Sequence, residues 1–384
     1  MYTLLLCLVY LAFVSLGLPD SLLGSGWPVM HLELGVPVSF MGILSTLVSL
    51  CTILSSLFSN RLTRRFGTAG VTVASVFLTA VALLGYSVSP NFTMLLLFAI
   101  PYGLGAGAID AALNNFVAQH YSSRHMSWLH CFWGVGTIVS PFVMSYALTL
   151  GAWNLGYRIV GFLQLGIALV LLLTLPVWKK VPQAEQQSQR SVGILETLKI
   201  RGVPALLLGF FAYCAIEATA MNWASTYFVS ARAISPEQAA RFASLCYIGI
   251  TAGRFLGGFV MNRLGDRRMI LLGASILSLG CILLLIPGGT ALAFAGFLVI
   301  GFGCAPVYPC IIHAIPYNFG PENSAAIIGI QMASAYLGAT LMPLVFGVLG
   351  RIAGFWILPL YLLIFVVLMV SMTERTFRIT GKTK

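Results

Sequence analysis

Two similar stretches of sequence reveal how this chain is organised. Residues 258–268 read Gly-Phe-Val-Met-Asn-Arg-Leu-Gly-Asp-Arg-Arg, and residues 56–65 read Ser-Leu-Phe-Ser-Asn-Arg-Leu-Thr-Arg-Arg. Asn60-Arg61-Leu62 recurs as Asn262-Arg263-Leu264, which is an offset of 202 residues. The same offset aligns Arg65 with Arg267, Gly136 with Gly338 and Pro141 with Pro343. A repeat at a constant offset indicates two structural copies within one chain.

The composition excludes a water-soluble protein. Hydrophobic residues make up 59% of the 384 residues and charged residues only 8%, whereas soluble domains carry about 25% charged residues. We therefore expect an integral membrane protein. Long apolar runs such as residues 167–175 favour helices over the alternating segments of a membrane β-barrel.

The apolar stretches predict an all-α membrane protein with 12 transmembrane helices in two six-helix halves. A helix needs about 20 mostly apolar residues to cross a bilayer, and polar residues, Gly and Pro separate the stretches. The predicted spans are residues 4–26, 37–59, 69–88, 93–117, 127–150, 156–178, 202–229, 238–260, 269–287, 290–314, 323–348 and 352–373.

One hydrophilic interval separates the halves. The predicted domains are a first six-helix bundle (1–178), a cytoplasmic linker (179–201), and a second six-helix bundle with a short cytoplasmic tail (202–384). When the N-terminus is placed inside, most of the 21 Lys and Arg residues fall on one side of the membrane. This bias predicts that both termini are cytoplasmic.

The loop after span two and its counterpart after span eight resemble the signature G-x-x-x-D-R-x-G-R-R of the major facilitator superfamily. The resemblance implies the major facilitator fold, a substrate site between the halves, and a conformational latch in both loops. The implied latch residues are Asn60, Arg61, Arg65, Asn262, Arg263 and Arg267. Both copies carry Asn where the superfamily has Asp, so a hydrogen bond replaces an ion pair.

Three of the ten acidic residues lie well inside predicted spans. They are Asp20, Asp110 and Glu217, and such a group at bilayer depth costs at least about 2.5–3.5 kcal/mol. A buried carboxyl that faces a water-filled cavity can exchange protons, so we expect these three to couple transport to protons. The alternative is a structural carboxylate that accepts hydrogen bonds from a neighbouring helix. Pro19, directly before Asp20, predicts a kink in span one.

Spans one, four and five resemble the fucose/galactose/glucose–proton symporter branch of the superfamily. Its members carry Asn-x-x-Asp in span one, a Glu before Asn-Pro-Phe-Val in span four, and a Gln in span five. Asp20 matches the Asp, with Gly17 in place of the Asn, and Asp110 matches the Glu. Asn114-Asn115-Phe116-Val117 is similar to Asn-Pro-Phe-Val, and His130 stands at the Gln. The implied substrate-binding residues are therefore Asn114, Asn115 and His130.

Further substrate-binding candidates combine hydrogen-bonding groups with aromatic rings, as a sugar site requires. They are Trp133, near His130, and Asn222, Trp223, Tyr308 and Gln331 in the second half. Single aromatic residues in spans are as often packing or lipid-facing. We expect Arg254, inside span eight, to reach toward the interface and pack rather than pair with an acid.

We thus expect a secondary active transporter, not an enzyme, that moves a small polar solute of the hexose type by alternating access coupled to protons. A drug/proton antiporter and a sodium-coupled sugar symporter are the alternatives, and a non-transporting sugar sensor is a distant one. No cofactor or metal is expected; the coupling ion is H⁺ or Na⁺. The expected partners are the substrate and the lipid bilayer, not nucleic acid, and the expected state is a monomer in the cell membrane.

Overall fold

The computed structural model describes residues 2–37, 40–178, 193–234, 239, 245–287 and 289–381. Within these ranges all regular secondary structure is helical, as predicted. The helices of the first half are α1 (Tyr2–Gly17), α2 (Leu22–Glu33), α3 (Phe40–Ser87), α4 (Phe92–His120), α5 (Ser123–Thr149), α6 (Trp153–Leu173) and α7 (Leu175–Trp178).

The second half has the same helical character. Its elements are α8 (Ile194–Lys199), α9 (Val203–Arg232), α10 (Leu245–Leu264), α11 (Asp266–Leu285), α12 (Thr290–Cys304), α13 (Val307–Phe319), α14 (Pro321–Ala353), a 3₁₀ turn (Phe355–Ile357) and α15 (Leu358–Thr380). Across the described ranges, ten helical stretches are long and apolar enough to cross a membrane.

Predicted span one is broken, as Pro19 predicts. Helix α1 ends at Gly17 and α2 begins at Leu22, with a turn between them. The proline ring has no N–H to donate and would collide with a preceding carbonyl in a continuous helix. The break places Asp20 in a turn between two apolar helices, where its side chain is exposed.

The predicted loop after span two is helical. Helix α3 runs on through residues 60–66, and only Gly67 leaves helical geometry, with φ 72° and ψ 161°. A positive φ of this kind suits glycine, which has no Cβ. The chain therefore turns at a single residue, and the cationic residues before it lie on the last helical turns. Gly265, with φ 77°, separates α10 from α11 in the same way.

The internal contacts divide the chain into two compact units. Unit 1 comprises residues 1–116 and 129–191, and unit 2 comprises residues 117–128 and 192–384. The segment 117–128 thus groups with the second half, which differs from the predicted division. Most of the predicted linker (179–192) and the beginning of predicted span eight (238 and 240–244) lie outside the described residues. The domain boundary itself therefore stays a prediction.

A close helix contact in unit 1 positions the acid of α4. A Cβ on Gly107 would lie only 2.1 Å from the carbonyl oxygen of Thr52 in α3. The absent side chain lets the two backbones touch, as small residues do in membrane helix pairs. Asp110 follows within one turn and is buried.

Candidate functional site

Asp20 is held by two hydrogen-bond donors from other helices. The indole N–H of Trp133 in α5 donates to Oδ2 over 2.8 Å. The hydroxyl of Tyr102 in α4 donates to Oδ1 over 3.2 Å. Both carboxylate oxygens are therefore occupied by neutral donors, which stabilise the charged form without supplying a cation.

The close approach of α1 and α5 brings Trp133 to Asp20. A Cβ on Gly17 would lie 2.1 Å from the carbonyl oxygen of Trp133, and a Cβ on Gly136 would lie 2.3 Å from that of Val14. Neither position has space for a side chain. An asparagine at position 17, as in the resembled branch, would therefore push α5 away in this structure.

Asp110, Asn114 and His130 form a buried chain of hydrogen bonds. The Asn114 amide donates to Asp110 Oδ1 over 2.8 Å, and Asn114 Oδ1 lies 3.0 Å from His130 Nε2. With the amide in this orientation, His130 must donate from Nε2. The ring of Phe13 meets the His130 ring edge to face at 5.3 Å. The structure thus brings together three residues that the sequence singled out separately; Asn115, the fourth, is also buried.

Two polar contacts in unit 1 were not expected from the sequence. Tyr102, which donates a hydrogen bond to Asp20, lies within a glycine-rich stretch whose pattern indicates only helix packing. Gln164 in α6 accepts a hydrogen bond from Ser15 Oγ over 2.7 Å and donates back to the Ser15 carbonyl. A single Gln within an apolar span is the sequence feature that could have predicted this hydrogen-bonded contact between α1 and α6.

Glu217 and Arg254 form a buried ion pair in unit 2. Arg254 Nη2 lies 3.2 Å from Glu217 Oε1, and the two side chains are only 4% and 15% exposed. The guanidinium also lies 5.9 Å from the centre of the Tyr308 ring. The prediction that Arg254 reaches toward the interface is therefore wrong. A buried guanidinium cannot be hydrated, so it needs a carboxylate.

Tyr308 is half-buried and Gln331 fully buried in unit 2. Tyr308 packs against Phe210 and Tyr213, and its hydroxyl donates to the sulfur of Met332 over 3.4 Å. Gln331 is 0% exposed, and its amide oxygen and nitrogen have no hydrogen-bond partner among the described residues. Burying an amide without a hydrogen-bond partner costs free energy. Gln331 therefore remains a candidate for hydrogen bonding to the substrate.

Trp223 and Asn222 differ in exposure. The Trp223 N–H donates to the Pro343 carbonyl over 2.9 Å, and its ring stacks on Phe355 with the centroids 5.2 Å apart. One ring face is therefore covered by protein and is not open for a sugar. Asn222 is exposed.

The two copies of the predicted latch have different partners. Arg61 and Arg65 are exposed and lie over the rings of Phe58 and Phe66, at 5.6 and 5.3 Å. Asn60 is buried, and its Oδ1 accepts no hydrogen bond within the described part of the chain.

In the second copy, Arg267 donates twice to Glu374 of α15, over 2.9 and 2.6 Å. Asn262 Oδ1 accepts the backbone N–H of Arg124, at the start of α5, over 3.3 Å. Arg263 is exposed. Asn262 thus accepts a hydrogen bond, whereas the latch role of the six residues stays a prediction.

His313 adds a contact to this region that sequence patterns did not predict. Its Nδ1 lies 2.7 Å from Asp266 Oδ2, and its Nε2 lies 3.1 Å from the Tyr121 carbonyl. Ser127 Oγ also donates to the Arg254 carbonyl over 2.6 Å. These bonds explain why segment 117–128 groups with unit 2. Among the described residues, no group of three or more His, Cys, Asp or Glu could hold a metal ion.

Comparison with known protein families identifies one match. The model of the Major Facilitator Superfamily matches residues 9–343 and 205–380. Bypass of stop codon protein 6 of Saccharomyces cerevisiae is 23% identical over 94% of this chain and 80% of its own length. The glucose/mannose transporter GlcP of Bacillus subtilis is 24% identical over 60% of this chain and 59% of its own length.

Solved structures share the fold. The fucose:proton symporter FucP of Escherichia coli superimposes with a TM-score of 0.80 at 18% identity, covering 100% of this chain and 98% of that one. At this identity the likeness concerns the fold alone.

Proposed function

Because the chain belongs to the major facilitator superfamily, we propose that this transporter moves a neutral, hexose-type sugar across the cell membrane by alternating access coupled to protons. Its substrate would bind near the bilayer midplane, where the repeats of such transporters meet. The protein would act as a monomer.

The helix lengths support a topology of twelve spans with both termini in the cytoplasm. Helix α3 has 48 residues, about 72 Å if straight, which is more than twice the ~30 Å of a bilayer core. Its two arms on either side of Gly67 therefore count as two spans. Helix α10, with 20 residues, adds one more to the ten apolar stretches. The cations on one side of these spans favour a cytoplasmic location for both ends.

The environment of Asp20 carries the proposal of proton coupling. A tryptophan N–H can only donate, whereas a tyrosine hydroxyl can donate or accept. A proton on Oδ1 can therefore be accommodated if Tyr102 reverses its hydroxyl and accepts. The bond from Trp133 to Oδ2 persists in both states. Asp20 is also exposed, so a proton can reach it without an opening of the helix packing.

Charge balance favours a neutral substrate. Arg254 lies deep inside predicted span eight, and the Glu217 carboxylate compensates its charge over 3.2 Å. An anionic substrate would have to compete with Glu217 for this guanidinium. The named relatives that transport glucose, mannose and fucose add support for a sugar. The buried chain from Asp110 to His130 supplies further hydrogen-bonding groups in unit 1.

The proposal is tested by uptake into liposomes that contain the purified protein. The substrates are a panel of hexoses, 4-hydroxybenzoate as an aromatic anion, and ethidium as a cationic drug. Each is measured with an inward proton gradient, with a sodium gradient, and with neither. We expect accumulation of one or more hexoses that depends on the proton gradient. Accumulation of only the anion or only ethidium, or dependence on sodium alone, would contradict the proposal.

Substitution of the acids tests which of them couple. In Asp20→Asn we expect gradient-driven accumulation to be lost while exchange of substrate across the membrane persists, because the amide cannot carry the proton. Asp110→Asn is tested in parallel, and Glu322→Gln, at an exposed acid, is the matched control. If Asp20→Asn and Asp110→Asn both accumulate substrate like the unmodified protein, the coupling role is wrong.

A further inference from the structure

An open apolar groove lies on unit 1, separate from the Asp20 and Asp110 clusters. It has a volume of about 610 Å³ and runs between the two arms of α3 and helix α4. Sites for small molecules have volumes of about 300–1,000 Å³, so the groove has room for a ligand of that class. Its principal apolar lining residues are Leu54, Phe58, Leu62, Phe66, Leu78 and Leu104.

The floor of the groove is held by hydrogen bonds between its helices. Ser55 Oγ donates to the Leu104 carbonyl, and Ser59 Oγ donates to the Ala108 carbonyl over 3.1 Å. The walls remain uncovered by protein: Phe58 is 43% exposed and Phe66 is 59% exposed. The groove is therefore preformed, and apolar rings line its opening.

Three arginines stand at the end of the groove next to the turn at Gly67. Arg61 and Arg65 lie over the rings of Phe58 and Phe66, which belong to the lining. Arg61, Arg64 and Arg65 are exposed, and no carboxylate forms an ion pair with them in the part of the chain that the structure describes. The apolar groove thus ends at a cluster of arginines whose positive charge is not paired with a carboxylate.

The second copy of the repeat shows that this charge cluster is particular to the first copy. Arg267, which aligns with Arg65, is neutralised by two hydrogen bonds to Glu374. At the same offset the residue that aligns with Glu374 is Leu172, which is exposed. The acid that compensates the second copy is therefore replaced by an apolar residue in the first.

We propose that this groove binds one anionic phospholipid of the surrounding membrane. One of its two acyl chains lies along the apolar lining, and its phosphate accepts hydrogen bonds from Arg61 and Arg65. Guanidinium groups suit phosphate because their N–H donors match its oxygens. A headgroup that carries an ammonium is disfavoured, since the cluster offers three cations and no carboxylate to receive it. This binding is independent of the transported substrate.

The test is lipid binding measured by native mass spectrometry on the full chain in detergent. Phosphatidylglycerol and phosphatidylcholine with the same acyl chains are titrated separately. We expect one phosphatidylglycerol to be retained in preference to phosphatidylcholine. In Arg61→Gln/Arg65→Gln, affinity for phosphatidylglycerol should fall about 25-fold, because each arginine near an anionic lipid contributes about fivefold.

Two further variants separate the site from general electrostatic attraction. Arg263→Gln/Arg268→Gln removes the same charge from exposed positions of the second copy and should leave binding unchanged. Ala74→Trp fills the groove from an exposed lining position and should abolish retention while all three arginines remain. Equal retention of both lipids, equal losses in the two double variants, or normal binding by Ala74→Trp would each overturn the proposal. Size-exclusion profiles and unfolding temperatures verify that each variant is folded.

Discussion

At the scale of single residues, Asp20 depends on two donors that are not equivalent. The bond from Trp133 is 2.8 Å long and the bond from Tyr102 is 3.2 Å long. Only the tyrosine can reverse its direction when the carboxyl group takes up a proton. Trp133 therefore donates to Asp20 in both protonation states, whereas Tyr102 can donate to the carboxylate or accept from the carboxyl group.

We expect Trp133→Phe to lower proton-driven accumulation of substrate about tenfold or more, because a hydrogen bond to a charged group contributes about 1.5–3 kcal/mol. The ring is kept, so the packing of α5 should change little. The measurement is initial uptake rate in liposomes, with the unfolding temperature as the readout of stability. Trp356→Phe removes an indole N–H bonded to the Ala353 carbonyl and is the control. Equal uptake by both variants would show that Trp133 does not support Asp20.

The ion pair of unit 2 is a second prediction at this scale. Glu217→Gln leaves a buried guanidinium without its counter-charge and should cost about 3–5 kcal/mol. Arg254→Gln leaves a half-buried carboxylate and should cost less. The double variant removes both charges and should recover most of that loss. The measurement is a double-mutant cycle of thermal unfolding in detergent. A double variant as unstable as the sum of the singles would contradict this interpretation.

At the scale of elements, residues without side chains set the helix contacts. Gly17 and Gly136 allow α1 and α5 to touch, and Gly107 does the same for α4 and α3. The break at Pro19 was in part expected from residue type, as a kink, and a loop was expected around Gly67. The continuation of α3 through residues 60–66 was not expected. Its charged residues are typical of a loop between spans, yet arginine is also a good helix former.

We expect Gly17→Ala to destabilise the protein by about 1–3 kcal/mol, as overpacking does, since the new Cβ would collide with the Trp133 carbonyl. Transport should fall as well, because α5 carries the donor to Asp20. Gly166→Ala, in the middle of α6 with no atom within 4 Å of the new Cβ, is the control. It should be neutral or stabilising by up to about 1 kcal/mol. Similar unfolding temperatures for the two variants would exclude the contact as a determinant of stability.

At the scale of the whole molecule, the internal repeat predicted the fold but not the differences between the two copies. The repeat at an offset of 202 residues is consistent with the family match over both halves. The two copies have diverged in their partners: Arg267 meets Glu374, whereas Arg65 lies over an aromatic ring. Alignment of the two copies shows that Leu172 replaces the acid, yet only the structure shows the groove whose rings Arg61 and Arg65 cover.

The sequence by itself determined the apolar helices, the repeat, the break at Pro19 and the short set of acids within spans. These follow from local composition and periodicity, which act over a few residues. Only the tertiary structure decided which groups meet those acids. Trp133 is 113 residues from Asp20 and Arg254 is 37 residues from Glu217. Contacts at such separations depend on how helices pack, and packing depends on shapes that no local pattern encodes.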